Sequence, residues 1–362
     1  SFQLCAKLVK LKIPASVTII GKHSFRSCYS LEEVEIPSSV TRIESHAFKI
    51  CHSLKSIEIP SSVTYIGEGF LGYCRSLTKV IIHCPITEIK DYTFCHCHSL
   101  THLEYPSTVK EFGKFAFYEC NSLPTIEIPS TMTKIRFKML KGCKSLKQIE
   151  IPSSVTEIEE DAFSECESLT TIEIPSSITH FNSCTFSGCK SLKKIVIPSS
   201  ENIIRSSCFF NCSSLTHIEI PSGVTEIECR AFCGCSSLKE IIIPMNVTDI
   251  GYLAFGKCSS LTKIDLPPSL KMIEFGTFSG CSSLNEIKIP SLVTEIKNQA
   301  FEECTSLTKI DLPPNLQEIA YRSFYKCTSL NKIEIPSSVT EIGGQAFEEC
   351  TSLTKIDLPP NL

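Results

Sequence analysis

His83, Cys84, Cys95, His96, His98 and His102 have side chains that could hold a transition metal. Their spacing does not make a closed zinc site. No Cys-x-x-Cys pair is present, and Cys97 among them belongs to a series of cysteines that runs through the whole chain. His98 falls at a variable position that His52 and Arg75 occupy elsewhere. The expectation is ordinary surface histidines beside a core thiol, with no metal and no cofactor. Cys229, Cys233 and Cys235 crowd one stretch similarly and read as packing or partly exposed thiols. Asn246-Val247-Thr248 and Asn211-Cys212-Ser213 match a glycosylation sequon, but Asn246 falls in a turn and is expected to stay unmodified. Serines are abundant yet repeated, whereas a catalytic nucleophile sits in singular surroundings. With no glycine-rich phosphate loop and no isolated Ser/His/Asp set, the chain is not expected to be an enzyme.

What positions these residues is a repeat. Pro152 has counterparts at Pro14, Pro37, Pro60, Pro106 and onward to Pro359, always at multiples of 23 residues, with His83 filling the one missed beat. Cysteines keep the same period from Cys5 to Cys350 without a gap. Such a period means a solenoid, in which each repeat is one coil stacked on the last. The expectation is one domain over 1–362 of about 16 coils, a fragment lacking both polar caps.

Within the coil from Leu146, Ile149 and Ile151 alternate as in a half-buried strand, and Pro152 ends it because it has no N–H to give. Ser153 and Ser154 turn the chain, Val155 and Ile158 point inward, and Ala162 and Phe163 close the far side. Strands that all enter in one direction make a parallel sheet. The second serine of each turn, as at Ser39, Ser62 and Ser154, with Asn361 the last of the series, is expected to satisfy backbone groups; the serine before each leucine is given the same role.

Sixteen of the 22 cysteines share one repeat position. Stacked coils hold equivalent residues about 4.8 Å apart, but parallel Cβ vectors suit a disulfide poorly. A column of buried, reduced thiols is expected, packing as small hydrophobes.

The motif L-x-x-I-x-I-P-x-S-V-x-x-I-x-x-x-A-F-x-x-C, carried throughout, resembles the BspA-like class of leucine-rich repeat. The resemblance implies an α/β-type curved solenoid with its short parallel strands on the concave face. It also implies surface-displayed or secreted proteins of mucosal bacteria and parasitic protists, linked to adhesion to host proteins or other cells. It brings no catalytic residues.

Net charge is −4, from 35 basic and 39 acidic residues, so no nucleic-acid footprint is visible. No apolar run is long enough to cross a membrane, and no signal peptide is visible. The informative pattern lies between the two strand isoleucines, where Glu58, Glu104, Glu127, Glu150, Glu173, Glu219 and Asp265 form an acidic stripe. Ile81, Val196 and Ile242 interrupt it as apolar breaks where a partner could anchor. Lysines and histidines two places earlier, such as Lys79, His102, Lys194 and Lys263, are expected to form cross-strand ion pairs. A calcium ladder is not expected, since each ion would find too few oxygens.

The functional expectation is a non-enzymatic protein-binding or adhesion module docking a host or cell-surface macromolecule. An intracellular scaffold is the alternative, since unpaired thiols persist in a reducing compartment. Residues 83–86 and 201–204 depart from the motif as drift or as local binding bulges. Glu201, in a slot that Val155 fills elsewhere, is expected to face water while Ile203 or Ile204 fills the core.

Overall fold

The coil that begins at Ser56 shows how the sequence makes the structure. Ile57 and Ile59 are buried and Ser56 and Glu58 exposed along the strand Ser56–Ile59, as alternation requires. Pro60 stops the strand and accepts a bond from the Val63 N–H at 3.2 Å, closing a tight turn. Val63 then enters the core, and Tyr65–Ile66 forms a second, two-residue strand. A run of turns carries the chain past Phe70 and Leu71 to Cys74, all fully buried, and back to the next coil.

The computed structural model describes residues 1–358 and 360; Pro359 and Asn361, assigned above to the proline and turn series, lie outside them. The chain forms two compact units, Ser1–Ile178 and Thr179–Leu362, built from the same coil. Together they hold about 15 coils. Every strand pair is parallel and joins residues 23 apart, as in Ile57↔Val80 and Ile296↔Ile319. No helix is present among the described residues, so the α/β label does not apply: the return arm of each coil is made of turns.

Two strand series run through each unit. The first carries the alternating isoleucines, from Lys10–Lys12 to His102–Glu104 in the first unit and from Glu240–Ile242 to Lys355–Asp357 in the second. The second series follows the proline turn, from Ile19–Ile20 to Glu157–Ile158 and from Ile203–Ile204 to Glu341–Ile342. The sequence reading had Ile158 pointing inward but did not recognise its stretch as a strand. Around Ile149 and Ile151, conversely, the expected strand keeps its alternation of burial but not its ladder. There the Lys147 N–H reaches the Pro124 carbonyl at 3.4 Å, and Pro124 itself has no donor.

The return arm places two residues per coil in the left-handed region, for instance His46 (φ 59°) and Ile50 (φ 66°). Such a conformation costs non-glycine residues on the order of 1 kcal/mol each. It turns their N–H groups toward the following coil, where His46 donates to Glu68 and Ile50 to Gly72 at 2.9 and 2.8 Å. Phenylalanines stack inside the arm: in the second unit Phe209, Phe232 and Phe255 lie 5.5–5.6 Å apart with rings within 9° of parallel.

The cysteine column lies beneath these rings. No disulfide forms among the described residues. From Cys28 onward the column's thiols donate backward instead, as Cys51 does to the Phe25 carbonyl at 3.3 Å and Cys258 to the Phe232 carbonyl at 3.3 Å. Burial pushes the Cys95 and Cys143 thiols up to about 12 and raises Cys120 well above the ordinary thiol value. The turn serines also bond backward, Ser62 to Val40 and Ser154 to Met132 at 2.8 and 2.7 Å. The serine before each leucine uses its backbone instead: the Ser76 N–H donates to His52.

Glu201 corrects the sequence reading. It is 2 % exposed, not turned to water. One carboxylate oxygen accepts the Phe181 N–H at 2.8 Å, and the other accepts from Asn202 and Ile203 at 3.3 and 3.5 Å. The coil before it has no second strand at 179–182, and the carboxylate supplies the acceptor that a strand would have offered. Ile204 does fill the core, as expected. At 83–86 the core is kept by Cys84 and Ile86 while His83 stays outside.

Candidate binding face

The outward residues of the first strand series, and of the stretches between 124 and 220 that keep its alternation without a ladder, form a polar face on each unit. In the first unit Glu58, Glu104, Glu127, Glu150 and Glu173 are all exposed, while the residues flanking them point into the core or its margin. Ile81 is half-buried rather than a free apolar anchor, and it borders a shallow hollow of about 430 Å³ with Glu35, Ser56, Glu58 and Lys79. In the second unit Glu219 and Asp265 are exposed, and Val196 and Ile242 are 65% and 84% exposed, far more than an isoleucine or valine needs to be.

The ion pairs on this face run mostly along a strand rather than across strands. Lys263 pairs with Asp265 at 3.7 Å, Lys309 with Asp311 at 3.0 Å, Lys332 with Glu334 at 2.6 Å and His102 with Glu104 at 2.5 Å. Residues two apart share a face, so a Lys-x-Asp run closes on itself. Lys332 holds the Glu334 carboxyl below its ordinary range through the hydrogen bond between them. Lys10–Glu33 and Lys55–Glu32 do cross between coils, at 3.0 and 2.7 Å. Lys194 and His217 meet as backbone partners in an isolated parallel bridge.

Glu127, Glu150 and Glu173 differ from the rest. Two places before them stand Thr125, Gln148 and Thr171, and no ion pair reaches them among the described residues. They are three like charges at one repeat position of successive coils.

The metal-type residues scatter. His83 reaches across to Glu58 at 2.7 Å and His102 is held by Glu104. Cys84 and Cys95 are buried thiols. Cys233 and Cys235 are buried and Cys229 is half-exposed. His96 and His98 do come together, joined by Glu119 of the next coil, a partner the sequence reading did not name. The turn amide of Asn246 donates to the Ser222 carbonyl at 3.2 Å. A hollow of about 710 Å³ in the second unit is an open trough away from the strand face. Its hydroxyls, Ser236 and Ser259 among them, are already bonded to carbonyls of the preceding coil.

The BspA type leucine rich repeat region matches over residues 1–123, 110–228, 202–301 and 271–362, which leaves no part of the chain unmatched. The chain belongs to the BspA type leucine-rich repeat family. A leucine-rich repeat protein from Bacteroides ovatus is 33% identical, with 99% of this chain and 81% of that one covered and a TM-score of 0.57. A leucine-rich repeat protein from Eubacterium ventriosum is 25% identical, covering 98% and 91%, with a TM-score of 0.60. A leucine rich cell surface protein from Faecalibacterium prausnitzii is 30% identical over 97% of this chain and 79% of that one, with a TM-score of 0.43. Among curated proteins none matches. In BspA type repeats the resemblance read from the Pro, Phe and Cys series is thus the family itself. Among the described residues no helix is long and apolar enough to cross a membrane.

Proposed function

We propose that this BspA type repeat protein is a surface-displayed adhesion module without chemistry of its own. The outward face of each unit takes a protein partner, through Glu58, Glu104, Glu127, Glu150 and Glu173 in the first and through Glu219 and Asp265, with Val196 and Ile242 as apolar anchors, in the second. The observation that carries the reading is the run Glu127, Glu150, Glu173: exposed, successive and without an ion pair among the described residues. Like charges repeated along one face repel one another, so a cationic partner offsets a repulsion that no ion pair among the described residues offsets. The partner is therefore a protein segment rich in lysine or arginine. The alternative, an intracellular scaffold, drew its support from reduced cysteines. A column that is buried and geometrically unsuited to bridging keeps its thiols in either compartment, so that support is lost.

The test is selection of binders from a displayed peptide library on the immobilised chain. Selected peptides should be basic, should bind less well as salt rises, and should lose at least about tenfold in affinity to the Glu127→Lys/Glu150→Lys/Glu173→Lys variant. Glu68→Lys/Glu160→Lys/Glu165→Lys, on the return arm, makes the same change in net charge and should leave binding intact. Equal behaviour of the two triple variants sinks the proposal.

A further inference from the structure

His96, His98 and Glu119 present three potential ligand atoms to one point between two successive coils. His96 Nδ1 lies 2.9 Å from Glu119 Oε2, His98 Nε2 lies 3.3 Å from the same oxygen, and the two nitrogens are 3.4 Å apart. In a tetrahedral zinc site with ligands about 2.0–2.2 Å from the ion, ligand atoms stand roughly 3.3–3.6 Å from one another. The triangle here is already close to that size.

Protons alone satisfy this triangle poorly. If both imidazoles donate to the carboxylate oxygen, their two N–H groups face each other across the third edge. If one nitrogen offers a lone pair to the other, its own contact with the oxygen sets two acceptors together. A dication at the centre accepts from all three at once.

The supports of the three groups are those of a built site. His96 and Glu119 occupy the same repeat position in adjacent coils, both left-handed, at φ 59° and 55°. Their backbones are locked by bonds from His96 to Tyr118 and from Glu119 to Lys141, each 2.7 Å. Tyr73 stacks on the His96 ring at 4.3 Å and Tyr118 packs edge-on at 5.0 Å. The three side chains are 20–33% exposed, sheltered yet open to an entering ion.

We propose that His96, His98 and Glu119 bind one divalent transition-metal ion, of zinc's class, that rivets two successive coils and leaves one coordination position to water or to a partner's side chain. Two imidazoles and a carboxylate suit zinc, cobalt, nickel or copper rather than calcium or magnesium. Each atom comes from a place that the repeat fixes, and no cysteine is needed.

Cobalt(II) chloride, added to the chelator-treated full chain, tests this by absorption spectroscopy, because nitrogen–oxygen and thiolate ligands give different spectra. One cobalt per chain is expected, without a sulfur-to-metal charge-transfer band and displaceable by zinc. Uptake should weaken at least about tenfold in His98→Ala and in Glu119→Gln. His52→Ala, at the equivalent position two coils earlier, should leave it unchanged. Thermal unfolding in chelator separates a lost site from a lost fold, and zinc should raise the midpoint in the wild-type chain but not in His98→Ala. A thiolate band, binding indifferent to all three substitutions, or no uptake each overturns the proposal.

Discussion

Cys120 donates its thiol proton to the carbonyl oxygen of Phe94 across 3.1 Å, reaching back 26 residues into the preceding coil. The Phe94 carbonyl points into the core, where no water can serve it, and both residues are fully buried. The same bond joins Cys281 to Phe255 and Cys327 to Phe301 at 3.2 Å. The cysteine series is thus a series of hydrogen-bond donors small enough to lie under a stack of rings, which valine or alanine could not be.

Replacing Cys120 with alanine should therefore cost about 1–3 kcal/mol, since it orphans a buried carbonyl and opens a small cavity. Cys120→Ser keeps a donor and should cost less. Urea unfolding of the two variants measures the difference; an alanine variant as stable as the parent would show that the sulfur only fills space.

The thiols also set a response to alkali. Folded thiols pushed up to about 12 at Cys95 and Cys143 stay neutral while unfolded ones ionise near pH 8.5. A raised folded pKa contributes stability that is complete below the unfolded value and lost as pH rises toward the folded one. The melting temperature should fall between about pH 8.5 and 12, less steeply in Cys143→Ala. Iodoacetamide applied to the native chain should label half-exposed Cys5 and Cys229 and spare Cys120 and Cys143.

Glu201 gives opposite forecasts from sequence and from structure. Valine is the residue that the repeat places in this slot, so pattern alone makes Glu201→Val stabilising. With the Phe181 N–H buried beneath the carboxylate, the substitution should instead destabilise by about 1–3 kcal/mol, and Glu201→Gln by less. Thermal unfolding decides; a more stable valine variant refutes the capping role.

Phe232 lies in the ring stack between Phe209 and Phe255. Phe232→Ala should cost about 3–5 kcal/mol, and because coils touch only their neighbours the loosening should centre on that coil. Hydrogen exchange that rises uniformly across the second unit would contradict this.

The coil was legible because its signals repeat. Alternating isoleucines, the proline stop and the cysteine period each predicted a contact that recurs in register at 23 residues. What stayed hidden were features without a residue-type signature. The second strand series spans two residues, too few for alternation to show. The left-handed positions hold His46, Ile50, Lys257 and Glu303 as well as glycines such as Gly69 and Gly280, because the forward N–H bond selects the conformation whatever the side chain. At the face, Lys-x-Asp spacing could have revealed pairing along the strand. Glu119 could not have been matched to His98 without knowing which left-handed residues stack.

Every strand pair aligns residues 23 apart, the thiol bonds reach back 26 residues and most turn-serine bonds 22. Losing or gaining 23 residues, or 46 as in the doubled stretch that begins at Gln299 and again at Gln345, leaves all of these offsets intact. A change of 22 or 24 breaks all of them at the junction. Unequal recombination between copies is therefore filtered by the hydrogen bonds themselves: the number of coils can drift between generations, but only in whole steps.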